Sequence, residues 1–501
     1  MHSGRLFPFV AVFALTIPLH AALASPSGTA KLERLPYSGD LLIARALRSG
    51  VMPWPSSHVA GQAHAPALTC KPGPCALPNV QASGGGSPVS ETPIAVNPLN
   101  PRDLLTGAMD YNCTKSLQSF WTSSDGGSKW RGGCATLPKG VPGGAGDPIV
   151  GYDLNGTAWR GGIDELHNGQ TEVVVSSSSD NGRSWSKPIV AVNIPKLLSD
   201  KPWLQIDTGA NSPNKNALYI STTQFDSENN SQIYVTHSTD GGQTWTSVAA
   251  APQAIWSQVN QFSDLAIGND GTVYLSYLSC NAVGKTGNCG DTAGLLYFTK
   301  SQDGGNTWAT PVLMTTTGLD YDSCTCAFFG NLNNSSEPMS QIPVIAIDNS
   351  SGPHAGELYF AAYNWAGSFM QLLLGTSTNG GNTWNPPIPV TPKSDKHDQF
   401  MPWINVNSKG VLGITWLDRR NDPNNVEYEA FGTVSTDGGQ TFATNVQLAS
   451  EPSNPLNDGF SGYFMGTYTG NVWNGKSLFA AWPDTRSGVD TQNEVGGLRP
   501  Q

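Results

Sequence analysis

Short apolar runs broken by glycine, asparagine and proline recur along the chain, and their length is that of strands rather than helices. A first run in most repeats starts at a proline: Pro93-Ile94-Ala95-Val96, Pro148-Ile149-Val150-Gly151, Pro202-Trp203-Leu204-Gln205-Ile206, Pro343-Val344-Ile345-Ala346-Ile347 and Pro402-Trp403-Ile404-Asn405-Val406. A second run follows at 104–109, 157–163, 217–221, 272–278, 358–363 and 411–416. Near the end 463–469 and 478–482 predict a seventh pair. Before the first repeat, 80–83 could supply the missing outer strand and close a ring. Residues 25–90 are otherwise rich in Pro, Ala, Ser and Gly and read as a loosely ordered lead-in, with one amphipathic stretch at 40–48 that predicts a short helix.

An octet punctuates this array. It reads Ser123-Ser124-Asp125-Gly126-Gly127-Ser128-Lys129-Trp130 in its first copy and returns around Asp180, Asp240, Asp303, Asn379 and Asp437, at steps of 55, 60, 63, 76 and 58 residues. Asp-Gly and Asn-Gly are strong hairpin signals, because glycine accepts the positive φ that the turn demands. The Asp or Asn oxygen can accept backbone N–H groups inside the turn, and the closing Trp (Phe442 in the last copy) offers an apolar anchor between sheets.

The octet resembles the Asp-box of the sialidase-like, BNR-repeat propellers. That resemblance implies an all-β fold, a β-propeller of four-stranded blades with the boxes on C–D turns. The count of strand pairs favours seven blades, with a six-bladed sialidase-like ring as the alternative. It also implies that the box acids are structural and that the active centre lies on the other face.

Composition agrees with a turn-dense β protein. Gly 56 and Pro 36 break helices too often for a helical fold, and only 13% of residues are charged. Lys+Arg 27 against Asp+Glu 38 leaves −11, which argues against a sequence-independent nucleic-acid binder. Arg5, the apolar run 6–19 and small residues at Ala22 and Ala24 read as a signal peptide over 1–24, so the expected location is secreted, or periplasmic in a Gram-negative source. No later stretch is long and apolar enough to span a bilayer. The propeller is then expected over 91–501.

Eight cysteines in an exported chain suggest disulfides. Cys70 and Cys75 bracket a small loop, Cys280 and Cys289 another, and Cys113 can reach Cys134, whereas a Cys324–Cys326 bridge would be strained. No C-x-x-C pair or His spacing supports a metal site, and no phosphate loop or nucleophile elbow points to a cofactor or a serine hydrolase. Asn112, Asn155, Asn229, Asn333, Asn334 and Asn349 head N-x-S/T triplets.

If the boxes mark C–D turns, the opposite face carries the starts of the first strands and the ends of the second ones. Glu91, Asp147, Asp200 and Asp398 fall at the starts; Asp110, Asp164, Tyr363, Trp365, Asp418, Arg419, Arg420, Asp484 and Arg486 fall at the ends. The insertions 279–291 and 315–338 lie there too. Two related segments are the sharpest feature: Trp416-Leu417-Asp418-Arg419-Arg420 and Trp482-Pro483-Asp484-Thr485-Arg486. One reading makes Asp418, Asp484, Arg419, Arg420 and Arg486 a catalytic set, with Trp416, Trp482, Glu91, Asp147 and Asp398 binding substrate. The other has Asp418 pair with Arg420, and Asp484 with Arg486, to hold the loops.

The sialidase resemblance further implies an arginine triad for a substrate carboxylate, a Tyr–Glu couple, an Asp acid/base and an early F/Y-R-I-P segment. That segment is absent; its neighbourhood reads Glu91-Thr92-Pro93-Ile94-Ala95. Tyr428 and Glu429 are adjacent, so on a strand they point to opposite faces. Arg160, Arg419, Arg420 and Arg486 could supply a triad. The expected function is a sialidase-like glycoside hydrolase acting on a glycan or glycoconjugate. Its rivals are a non-catalytic secreted propeller that binds glycan or protein, and a scaffold in a larger extracellular assembly.

Overall fold

The computed structural model describes residues 35–57, 74–282, 289, 293–319 and 328–500. The signal segment, Cys70 and the Cys324–Cys326 pair lie outside the described residues. Seven antiparallel sheets form a seven-bladed β-propeller. Blade 2 shows the plan, with Gly143–Tyr152, Ala158–Glu165, Thr171–Ser178 and Ile189–Val192 in order from the axis outward. First strands of successive blades touch round a full circuit: Ile94–Asn97, Gly143–Tyr152, Leu198–Ile206, Gln258–Ile267, Val344–Ile347, Gln399–Val406 and Gly470–Trp473. Both faces of these strands meet a neighbouring blade, which favours apolar side chains there.

Closure comes from the N-terminal side. Blade 7 is built from Gly470–Trp473, Leu478–Asp484 and Gln492–Arg499, and its outer positions are taken by Cys75–Ala76 and Val80–Gln81. Cys75 pairs with Arg499 and Val80 with Val495, both antiparallel. The expected outer strand at 80–83 is therefore present. One expectation is corrected: the inner strand of blade 7 is Gly470–Trp473, and 463–469 instead turn inward, burying Phe464, Met465 and Tyr468 against the axis. Their apolar side chains find the core without joining a ladder.

Six octets occupy the third-to-fourth strand turns of blades 1 to 6. In the first, the Ser123 hydroxyl donates to Asp125 Oδ1 (2.9 Å) and accepts the Gly127 N–H (2.9 Å), while Asp125 Oδ1 accepts from Ser128 and Lys129 N–H, each at 3.0 Å. Gly126 and Gly127 both take positive φ, which makes glycine the low-strain choice there. The closing indoles wedge between blades: Trp245 packs on the cluster of Ile149, Trp159 and Leu204, and Trp384 meets Phe298 and Phe360 edge-on.

Disulfides join Cys113 to Cys134 and Cys280 to Cys289, as the spacing suggested, and Cys75 is also disulfide-bonded. Among the described residues no helix is long and apolar enough to cross a membrane. The lead-in supplies more than a linker. Gly39–Arg48 is a helix that buries Leu41, Ile43, Ala44 and Leu47 in the same core cluster as Met109, Tyr111, Phe262 and Phe464. Arg45 and Arg48 fasten its outer side to Glu165 at 2.9 and 2.7 Å.

Asp303 shows what the octet acid contributes. It accepts the Ser301 hydroxyl (2.8 Å), the Thr307 N–H (2.9 Å) and the Thr307 hydroxyl (2.7 Å), which hold its carboxyl down to about 2. In blade 5 Asn379 Oδ1 accepts the Ser377 hydroxyl and the Thr383 N–H, while its Nδ2 donates to the Thr383 hydroxyl. We expect Asp303→Ala to cost about 1–2 kcal/mol in urea unfolding and Asp303→Asn to cost little. The carboxyl is depressed in the fold, so its stabilisation is full above about pH 4 and lost as pH falls through about 2. The Asn variant lacks that acid-side loss.

Candidate functional site

Bulges in the inner strands create the site. The ladders shift register beside Asp147, Lys201, Phe262 and Met401, and each of these residues has positive φ: 50°, 46°, 58° and 47°. Glu91 (φ 59°) takes the same conformation between Val89–Ser90 and Ile94–Asn97. A non-glycine residue held there costs about 1–2 kcal/mol, and such strain persists only where the surroundings impose it. A bulge re-aims the side chain. Here blades 1, 2 and 3 bring Glu91, Asp147 and Lys201 together, while blades 4 and 6 contribute Phe262 and Met401.

The helix Gly39–Arg48 adds a fourth charge. One carboxylate oxygen from each of Asp40, Glu91 and Asp147 lies within 4.8 Å of the others, and all three residues are fully buried. Asp200 sits alongside, accepting the Ser38 N–H (2.7 Å), the Ser38 hydroxyl (2.5 Å) and Gln261 Nε2 (2.7 Å). Glu91 accepts from the Thr467 hydroxyl (2.6 Å), and Asp147 from the Lys201 N–H (3.3 Å). Lys201 Nζ lies 3.7 Å over the Tyr468 ring and 5.0 Å from Trp203.

Burial, then the charge of Asp40, lifts the Glu91 carboxyl well above the ordinary range, and Lys201 opposes the rise. Asp147 is lifted in the same way. Asp200 is pushed up to about 6 by burial and Asp40, against its hydrogen bonds from Ser38 and Gln261. Burial thus favours the neutral form of the Glu91 and Asp147 carboxyls. Three hard carboxylate oxygens at this spacing also suit a calcium- or magnesium-like cation, although the Lys201 ammonium already supplies positive charge beside them.

The paired motifs at the second-strand ends are self-contained. Asp418 accepts from Trp416 Nε1 (2.6 Å), the Arg420 N–H (2.8 Å) and Arg420 Nη2 (2.5 Å). Asp484 accepts from Trp482 Nε1 (2.9 Å) and from Arg486 Nε and Nη2 (2.7 Å each). Both tryptophans are buried. Arg420 also reaches Asp395, and Arg486 reaches Asn79. Arg419 turns inward to Asp398 (3.2 Å) and the Asn333 carbonyl (2.6 Å), and Asp398 further accepts from Met370 N–H and Asn425 Nδ2. The structure thus gathers Glu91, Asp147 and Asp200, places Asp398 with Arg419, and leaves Asp418 and Asp484 each beside its own arginine.

Known structures give a context for this geometry. A Hadza microbial sialidase is 17% identical, with a TM-score of 0.44 over 66% of this chain and 63% of that one, so the chain spans a little under two thirds of it. A leech intramolecular trans-sialidase is 12% identical, with a TM-score of 0.44 over 75% and 69%. The α-L-arabinofuranosidase of Fusarium graminearum is 13% identical, with a TM-score of 0.44 over 70% and 92%. No protein-family model and no curated protein matches the chain.

Within this propeller, sequence reasoning missed Asp40 and Lys201. Asp40 lies in the segment read as a lead-in, and nothing local ties it to the axis. Lys201 did carry a signal: Asp147, Lys201 and Met401 each stand immediately before the proline of a first strand. A second buried acid, Glu337, was missed because it lies inside an insertion. It accepts the Met465 N–H (2.7 Å) and is lifted by burial and by Asp458.

The cluster predicts a pH response of the helix. Glu91 and Asp147 are raised in the fold, so their contribution is full below about pH 4 and falls as pH rises through the raised values. Amide protection across 39–48 should accordingly be lower at pH 8 than at pH 5. Asp40→Asn should restore it at pH 8 on the order of tenfold, the scale of one like charge removed.

Proposed function

We propose that this chain is a secreted carbohydrate-active propeller, a glycoside hydrolase whose reacting carboxyls are Glu91 and Asp147 and whose mouth is held closed by the helix Gly39–Arg48. The observation that carries this reading is the convergence of those two acids from adjacent blades, on strained bulges, with oxygens within 4.8 Å. Retaining glycosidases place their two carboxyl groups about 5–5.5 Å apart. The protonated acid would donate to the glycosidic oxygen as that bond breaks, while the ionised one attacks the anomeric carbon; water then releases the sugar. Burial favours the protonated acid, and the Lys201 charge favours its ionised partner.

In this reading Asp418–Arg420 and Asp484–Arg486 brace the loops around the mouth, and Arg419 with Asp398 fixes the insertion that carries Asn333. Sugar can reach Glu91 and Asp147 only when Asp40 and its helix move aside, since both acids are fully buried beneath it. That same burial favours a second reading, a non-catalytic propeller that binds glycan on its outer surface.

Turnover of chromogenic glycosides, a sialoside and an arabinofuranoside among them, tests the choice. Wild type should be slow, and Arg45→Glu/Arg48→Glu, which breaks the pairs to Glu165, should be faster. In that background Glu91→Gln or Asp147→Asn should lower kcat at least about 100-fold, whereas Asp418→Asn should chiefly lower stability. Absence of turnover on every glycoside with the helix released would overturn the hydrolase reading, and glycan binding without turnover would support the second.

A further inference from the structure

An arginine occupies a core position on the outer side of blade 2. Aligning the blades on their octets places Arg160 where blades 3, 4, 5 and 6 have Ile220, Leu275, Phe360 and Ile414, because Ala158, Leu218, Val273, Leu358 and Leu412 all pair with the octet serine of their own blade. Arg160 is only 7% exposed. Its guanidinium lies 4.2 Å from the Trp185 ring centre and 5.2 Å from that of Phe120. Among the described residues no acidic side chain forms an ion pair with it, and burial lowers its pKa to about 10. A repeat that breaks its own apolar pattern with an unpaired buried charge sustains a cost that packing does not recover.

The guanidinium opens on a groove of about 500 Å³ between blades 1 and 2, whose wall also carries Arg131 and Arg183 and no carboxylate. Arg131 is oriented by its bonds to the Asn181 carbonyl (2.7 Å) and the Thr122 hydroxyl (3.3 Å). Behind Arg160 a slot of about 10 Å³ runs inward to Asp164 and Gln118. Asp164 is pushed up to about 8 by burial and by Glu172, so it adds little negative charge at neutral pH. Three guanidinium groups around one groove are conspicuous in a chain whose net charge is −11.

We infer that this groove is an oxyanion site, in which Arg160, Arg131 and Arg183 receive the carboxylate or sulfate of an acidic saccharide at the outer rim of blades 1 and 2. The fork of a guanidinium matches such groups with two parallel hydrogen bonds, and the aromatic pair holds Arg160 in place for them. The saccharide as carrier rests on the carbohydrate reading above; the oxyanion chemistry stands on the groove itself. None of the mouth acids lines this groove, so a ligand here would anchor a polymer without entering the axis.

Calorimetry on the full chain carrying Glu91→Gln, which removes turnover from the measurement, tests the inference. The probes are an oligogalacturonate, which carries carboxylates alone, a carrageenan oligosaccharide, which carries sulfates alone, and a neutral xylo-oligosaccharide. One of the two acidic probes should bind and the neutral one should not; which acidic probe wins separates carboxylate from sulfate. Arg160→Met, which restores the apolar side chain found in blades 3 to 6, should weaken binding at least tenfold and leave the unfolding midpoint unchanged or higher. Arg183→Ala, at an exposed position, should weaken it several-fold. Failure of both acidic probes to bind, equal binding of the neutral one, or unchanged affinity in Arg160→Met would overturn the site. Hydrolysis by the Glu91 form is scored separately, so either proposal can fail alone.

Discussion

Two short antiparallel pairings hold the rest in place: Cys75–Ala76 and Val80–Gln81 against Gln492–Arg499. A sheet edge left open would expose a row of unpaired backbone donors and acceptors, and an open ring would let the blades splay. With the outer positions of blade 7 filled, the inner strands are forced into one circuit. Everything at the axis follows from that circuit, because the bulges of blades 1, 2 and 3 converge only if the blades cannot separate. The octets act on the opposite face in the same sense, fixing each outer turn so that an indole can fill the wedge between neighbours.

The axis then concentrates charge where water is scarce. Glu91, Asp147, Asp200 and Asp40 meet one lysine, and no more than part of that negative charge can be ionised together. The rim motifs of blades 6 and 7 instead close their charges locally. The Trp-x-Asp-x-Arg segments satisfy an acid, an indole and a guanidinium within five residues, so they remain intact whatever happens at the mouth. The contrast between an overcharged axis and self-contained rim motifs is what directs attention to the axis as the reactive part.

Much of the architecture was legible because it is local and repeated. Asp-Gly turns, a Trp at a fixed offset and paired apolar runs each report on a hairpin, and their recurrence reports on the ring. The closing strand at 80–83 could be inferred because a seventh blade lacked its outer partner. The inner strand of blade 7 was misplaced because 463–469 is as apolar as a strand, although its residues are buried by turning into the axis. Site residues were harder. Glu91 and Asp147 could be placed on the functional face by topology alone, but their meeting with Asp40 depends on a helix more than 40 residues upstream in sequence, and no periodicity encodes that contact. Asp418 and Asp484 drew notice because their motif is conspicuous, and the motif is conspicuous because each copy satisfies itself. Arg160 was visible as an arginine, yet its meaning required the register that aligns it with Ile220, Leu275, Phe360 and Ile414.

The segment that closes the ring also carries the helix that covers its axis, and this has a consequence for assembly. Cys75 must find Arg499, nearly the whole chain away, so the last blade cannot be completed until the far end of the polypeptide has been made. Contacts of such long range are slow to form, since a large loop must be ordered before any reward arrives. Until then blade 7 presents a bare outer edge. The order of events is therefore set by topology: six blades can stack as they emerge, and the seventh sheet comes last, through a strand that had to wait unpaired through synthesis of all the others.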